Sequence, residues 1–239
     1  MSDGHPVLER AGIDPAVLTL RPDYRALLIV AEDLRPGPSD EVSDRLLAAA
    51  EATARDRLAG QPVAEHLPQH PHVMQWRAAF REFGAKPQRT RPSVEALLRR
   101  VPDGMPRVDR LTDAYNAVSV AHVLPVGGED LDRYVGPPRL VRADGGEDFD
   151  TSAGGEPVLE HPEPGEVVWR DDAGVTCRRW NWRQCTRTRL TGSTRNAIFI
   201  LDALGALDDT ALTAAGQALV DALRATSPAA RISHRLLAG

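Results

Sequence analysis

Residues 111–128, LTDAYNAVSVAHVLPVGG, contain the point where the chain changes its period. Leu111, Ala114, Val118, Ala121 and Val123 recur at helical spacing. Asn116 and Ser119, three apart, share one face of that helix. Pro125-Val126-Gly127-Gly128 ends it, and the glycine pair reads as a turn. Short β-type runs follow at 139–143, 166–169, 174–178 and 197–201. Turn signals separate them: Asp144-Gly145-Gly146, Ala153-Gly154-Gly155, Pro162 with Pro164, and Asp171-Asp172. Leu212, Ala215, Leu219 and Leu223 then predict a closing helix over about 210–225.

Upstream, the pattern is mainly helical. Leu46, Leu47, Ala50 and Ala54 predict a helix from Ser39 or Asp40 to about Leu58. Met74, Trp76, Phe80 and Phe83 predict another, stopped by Gly84. Ser93 opens a third, ended by Pro102. Tyr24–Val30 is a short apolar run with the length of a buried strand. Residues 1–20 read as loosely ordered, and RPGPS at 35–39 and Gly60-Gln61-Pro62 as linkers. Helices lead, strands follow and a helix closes. That order favours α+β layers over a doubly wound nucleotide-binding sheet.

The chain has 239 residues, 42% hydrophobic and 26% charged, ordinary for a soluble globular protein. It carries no membrane-length apolar run and no signal-type N-terminus, so the expectation is a cytoplasmic protein without membrane contact. Cys177 and Cys185 are too few for a disulfide scaffold. The net charge of −5 excludes a globally basic nucleic-acid binder, and no DNA partner is expected. Of the 29 basic residues only Lys86 is lysine. Residues 77–110 carry nine basic and four acidic groups, and residues 170–195 seven and two. Residues 126–169 carry three basic and eleven acidic groups. The acidic and basic stretches either pair with each other or leave a local basic face.

Familiar catalytic patterns are absent: no P-loop, no G-x-G-x-x-G after a strand, no H-E-x-x-H, no G-x-S-x-G. No histidine lies near either cysteine in sequence, so both read as packing residues. His66, His70 and His72 are interrupted by Pro68 and Pro71, which breaks helical ligand spacing. They read as surface or helix-cap residues, and no metal or other cofactor is expected.

The chemically dense stretch is CRRWNWRQ, residues 177–184. In an extended segment Trp180 and Trp182 share one side and Arg179, Asn181 and Arg183 the other. Two readings stay open. The tryptophans fill core and the arginines bind carboxylates of the acidic segment, or the stretch is the arginine-lined wall of an aromatic-backed pocket.

From Arg91 to Leu204 the chain resembles the B3/4 domain of the phenylalanyl-tRNA synthetase β subunit in its free-standing form. The stretches carrying the likeness are RPSVEALLRRV (91–101), LTDAYNAVSVAHVLPVGGEDLDRYVG (111–136), GEVVWRD (165–171), CRRWNWRQ (177–184) and STRNAIFILDAL (193–204). The chain departs from the family at Gly127, where the synthetase usually carries histidine. It departs again at Gln184 and Asp202, where free-standing relatives more often carry glutamate.

The resemblance implies an α+β fold, a layered B3/4 domain with a β-sandwich flanked by helices. It implies one domain over 1–239, with a core at about 70–205. The strand-helix part at 20–60 packs on that core, and a C-terminal helix covers 209–226. It implies an aminoacyl-tRNA deacylase, in which a positioned water hydrolyses a mischarged ester. The alternative is a non-catalytic or tRNA-independent module binding an amino acid or an aminoacyl-adenosine-like molecule. The expected partner is the aminoacylated 3′ end of tRNA. By motif position, Asn116, Asn181 and Arg183 are the expected catalytic residues. Arg91, Ser93, Ser119, Gly127, Gly128, Trp180, Trp182, Gln184 and Thr194 are the expected substrate contacts.

Overall fold

A computed structural model describes residues 4–58 and 63–239. The Gly60-Gln61-Pro62 linker lies outside the described residues. The chain opens with α1 (Pro6–Glu9), β1 (Gly12–Ile13), α2 (Pro15–Leu20), β2 (Arg25–Glu32) and α3 (Glu41–Leu58). Then come α4 (Val63–His66), α5 (Pro71–Glu82), α6 (Ser93–Leu98) and α7 (Arg110–His122). Strands β3 (Val126–Asp130), β4 (Arg139–Arg142), β5 (Phe149–Ala153), β6 (Glu156–Glu160), β7 (Val167–Arg170) and β8 (Val175–Arg178) follow. The chain closes with β9 (Arg183–Gln184), β10 (Ala197–Ala203), α8 (Asp209–Thr226) and β11 (Arg231–Ala238). The fold is α+β.

Two sheets carry the architecture. One has the order β11-β2-β10-β3, antiparallel throughout, and the other the order β1-β4-β7-β8-β9. Strands β2 and β10 are apolar at almost every position because both faces of their sheet are covered. Ala26, Leu28, Val30, Ile198 and Ile200 point toward the second sheet, meeting Leu140, Val167, Trp169 and Trp180. Leu27, Ile29, Phe199 and Leu201 point the other way, onto Leu111, Val118, Leu212 and Leu219 of α7 and α8. Side chains alternate along a strand, so one sequence run serves two cores. A third core joins α3, α5, α6 and α7 through Leu47, Val73, Val94, Leu98 and Val120.

The N-terminal segment is more ordered than expected. His5 and Asp14 cap α1 and α2, each of which starts on a proline. Strand β11 has no counterpart in the sequence reading. It runs the full length of β2, with Arg231 opposite Glu32 and Ala238 opposite Arg25. The Gly127-Gly128 pair lies inside β3, not in a turn, whereas Gly154-Gly155 is the turn of the β5–β6 hairpin. Among the described residues, no helix is long and apolar enough to cross a membrane.

Candidate active site

A cavity of about 220 Å³ opens between the two sheets. Its floor is the inner face of the four-stranded sheet. Gly127 of β3 pairs directly with Ile200 of β10, so the two share that face with Glu129, and Asp202 ends the row. One wall is α6, through Ser93, Ala96 and Leu97, with Arg100 beyond its end. A second is α7, through Tyr115 and Asn116. The third is the β8–β9 connection, Trp180 to Gln184, with Trp169 and Cys177 beside it.

Local chemistry sets each wall. Asp109 caps α7 by accepting from the Leu111 and Thr112 amides, and Val123 ends it in the left-handed region at φ 55°. The β8–β9 connection departs from the extended geometry expected for residues 177–184. Arg179 and Trp180 take φ of 47° and 67°. Two consecutive non-glycine residues in that region cost about 1–2 kcal/mol each. The surroundings hold them there. The Trp180 amide donates to Val167 O at 2.6 Å and the Arg179 amide to Glu166 Oε1 at 3.0 Å. The Trp180 ring packs edge-on against Tyr24 at 4.9 Å and Trp76 at 5.4 Å. Trp180 is therefore fully buried in the inter-sheet core. Trp182 lies half-buried beneath the Arg179 guanidinium, 4.4 Å from its ring centroid. The even alternation of tryptophan and arginine is corrected accordingly.

The cavity floor holds the unusual electrostatics. Asp202 is buried, accepts from Tyr24 Oη at 2.5 Å, and lies 3.4 Å from Asn181 Nδ2. Burial pushes its carboxyl up to about 7, against the hydrogen bonds from Tyr24 and Asn181. Asn181 Oδ1 is buried and has no partner among the described residues. Glu129 is also raised by burial, while Tyr134 Oη (2.7 Å) and Thr188 Oγ1 (2.8 Å) donate to it. Cys177 lines the cavity, but burial pushes its thiol well above the ordinary range, so it is not an activated nucleophile.

Of the residues singled out from sequence, Asn116, Asn181, Arg183, Ser93, Gly127, Trp180, Trp182 and Gln184 come together around this cavity. Four do not line it. The Ser119 hydroxyl donates to Leu124 O at 2.7 Å and closes the end of α7. Thr194 donates to Asp130 Oδ2 at 2.6 Å, behind β3. Gly128 faces the helices, and its carbonyl accepts from Gln184 Nε2 at 3.0 Å. Arg91 stands before α6, 3.8 Å from Glu95. Arg183 lines the wall, but its guanidinium is engaged. It bonds Thr151 Oγ1 and Ser152 O, and approaches Glu160 at 3.5 Å. A role in gripping a substrate carbonyl or phosphate does not suit it.

Five of the seven arginines at 170–195 pair with carboxylates, Arg183 among them, and Arg189 and Arg195 have no such partner among the described residues. Arg170 meets Glu147, Arg178 meets Glu160 and Glu166, Arg179 meets Glu166, and Arg187 meets Asp171. Those carboxylates bring the 170–187 part close to neutrality. His72 is a correction too. It is buried, with Nδ1 2.7 Å from Val123 O and Nε2 accepting from the Leu204 amide at 3.1 Å, and it ties α5 to α7 and β10. Among the described residues no His, Cys, Asp and Glu group is placed to hold a metal.

Sequence reasoning did not single out Arg100, Tyr115, Glu129, Trp169 or Asp202 as site residues. Asp202 carried a usable signal, because it is the one charged residue in the apolar run AIFILDAL. The β3 glycines give a paired test. A Cβ on Gly127 meets only the end of the Gln184 side chain, at 3.0 Å, which can swing away at the loss of its hydrogen bond to Gly128 O. A Cβ on Gly128 meets the Phe199 ring at 2.8 Å and the Tyr115 ring at 3.0 Å. Gly127→Ala is expected to hold stability within about 1 kcal/mol of wild type. Gly128→Ala is expected to cost about 1–3 kcal/mol. Denaturant melts check both, and equal losses would contradict the assignment of the two faces.

A scan against protein families matches the B3/4 domain over residues 75–212. A search of curated proteins finds no match. Among solved structures, the chain is similar to an N-terminal fragment of the phenylalanyl-tRNA synthetase β subunit from Pyrococcus horikoshii. Identity is 13% and the TM-score 0.43, with 99% of this chain and 53% of that one covered. The chain spans about half the length of that fragment. The family match covers more than half of the sequence, the inter-sheet cavity included, and the chain belongs to the B3/4 domain family.

Proposed function

We propose that the cavity hydrolyses the ester of an aminoacyl-tRNA, with Asp202 as the base that activates water. The observation that carries this reading is a buried carboxyl raised to about 7 at the floor of an aromatic-walled cavity, beside Asn181 Oδ1, which has no partner among the described residues. A base with a pKa near the working pH combines availability with driving force. In the proposed step Asp202 takes a proton from water while the water oxygen attacks the ester carbonyl. The carbonyl oxygen becomes an oxyanion, to which the Asn116 carboxamide can donate. The ribose oxygen then leaves with the proton held by Asp202. The products are free amino acid and free tRNA. An aminoacyl ester is reactive enough that orientation and electrostatics supply much of the acceleration. The protonated Cys177 thiol supports water over a protein nucleophile.

The decisive experiment incubates the pure protein with a panel of mischarged tRNAs. Amino acid release above the buffer rate is expected for at least one of them. Release at the buffer rate for all would sink the hydrolase reading. The second reading, a module that binds an amino-acid-like or aminoacyl-adenosine-like ligand without cleaving it, gains from the −5 charge and the neutralised 170–187 block. Thermal stabilisation by such a ligand, with no release from any tRNA, would select it.

A further inference from the structure

The two basic stretches of the sequence differ in degree: among the described residues five of the seven arginines at 170–195 have carboxylate partners, Arg189 and Arg195 excepted, against five of the nine basic groups at 77–110. Around α6 the cations outnumber their partners. Residues 77–100 hold seven basic groups and two carboxylates. Glu95, fully buried, takes Arg77 at 2.8 Å and Arg99 at 3.0 Å, with Arg91 a further 3.8 Å contact. One carboxylate thus serves three arginines. Lys86, Arg89 and Arg100 are exposed and have no carboxylate partner among the described residues. This excess sits on a chain whose overall charge is −5, so it makes a local positive field.

The excess also adjoins the cavity. Arg100 and Ser93 line it directly. Phe83, at the end of α5, packs 6.3 Å from Trp180 of the opposite wall. The turn carrying Lys86 and Arg89 connects these elements, closed by the Arg89 amide donating to Lys86 O at 2.8 Å.

We infer that the ridge formed by the end of α5, the 86–90 turn and α6 is the surface over which an RNA backbone reaches the cavity. The 170–187 face takes no part, because its arginines are committed to Glu147, Glu160, Glu166 and Asp171. The inference rests on the ester-hydrolase reading for the identity of the polyanion, and on the charge distribution for its path.

The test measures binding and needs no catalysis. A fluorescein-labelled, deacylated RNA stem-loop with a single-stranded 3′ tail is titrated with the protein at several salt concentrations. Wild type is expected to bind with an affinity that falls steeply with salt. Lys86→Glu with Arg89→Glu is expected to weaken binding at least about tenfold at low salt. It should also flatten the log–log salt slope by about 1.4–1.8, as two lost phosphate contacts require. Arg189→Glu with Arg195→Glu makes the same change in net charge elsewhere on the surface and is expected to leave the slope alone. Equal losses in the two double variants, or no salt-dependent binding by wild type, would overturn the ridge. Ester cleavage together with equal losses defeats the ridge and spares the site. Ridge-dependent binding without cleavage supports the ridge and defeats the hydrolase.

Discussion

Asp202→Asn is expected to lower ester hydrolysis by at least about 100-fold while stabilising the protein at pH 8. The two effects have one cause. The folded carboxyl titrates near 7, above its usual 3.8, because burial disfavours its charged form. Between those values the folded state binds more protons than the unfolded one. Stability therefore falls as pH rises from about 4 to about 7 and stays at the lower level above that. Asparagine has no proton to lose. Its Oδ1 still accepts from Tyr24 Oη, and a flip of the Asn181 carboxamide, whose Nδ2 faces this position in wild type, lets the new amide donate to Asn181 Oδ1, which has no partner among the described residues. The variant's advantage is expected to be near zero at about pH 4 and to reach at most about 4 kcal/mol above pH 7. Chemical melts across pH check this. Wild-type hydrolysis should rise with pH and level off above about 7. A variant that keeps its activity and is less stable at pH 8 would mark Asp202 as a structural anion instead.

Arg178→Met is expected to be the most damaging substitution near the site, at about 3–5 kcal/mol. Arg178 Nε and Nη2 grip both oxygens of Glu166 at 2.9 and 2.8 Å, and Nη1 reaches Glu160 at 2.9 Å. Arg178 and Glu166 are both buried, so methionine would strand a carboxylate in the interior. Glu166 also anchors the Arg179 amide. Losing its orientation loosens the two left-handed residues that present Trp180, Asn181 and Trp182 to the cavity. Glu166→Gln in the same chain removes the stranded charge and should recover at least about 1 kcal/mol. No recovery in the double variant would place the cost in lost packing by the long side chain.

The legible parts of the sequence were those governed by local rules. The α3, α5, α7 and α8 segments declare themselves by apolar spacing. Tyr24–Val30 reads as a buried strand and 197–201 as a β-type run, and both are apolar because water reaches neither face of β2 and β10. The resemblance to a family drew attention to Asn116, Asn181 and Gln184, which converge on the cavity. It implied a catalytic role for Asn116 and Asn181 and a substrate contact for Gln184, without the geometry by which any of them would act. Arg183 illustrates the gap. Its place on the wall follows from the motif, but the loss of its guanidinium to Thr151 and Glu160 depends on the β5–β6 hairpin lying over it.

The amino-acid pattern alone thus determines the α+β class, the principal helices and the two-faced central strands. Periodicity encodes burial, and burial on one face or two is a local property of the chain. Only the tertiary structure decides how β11 joins β2 across some 200 positions, and that Gly127 and Gly128 form a strand between a cavity and an aromatic core. It also decides the turn at Arg179 and Trp180. That conformation is unfavourable by itself and persists because Glu166, Val167, Tyr24 and Trp76, distant in the chain or across the sheet, converge to hold it. The same convergence buries Asp202 and raises its pKa. The candidate chemistry belongs to contacts between distant segments, which no local pattern records.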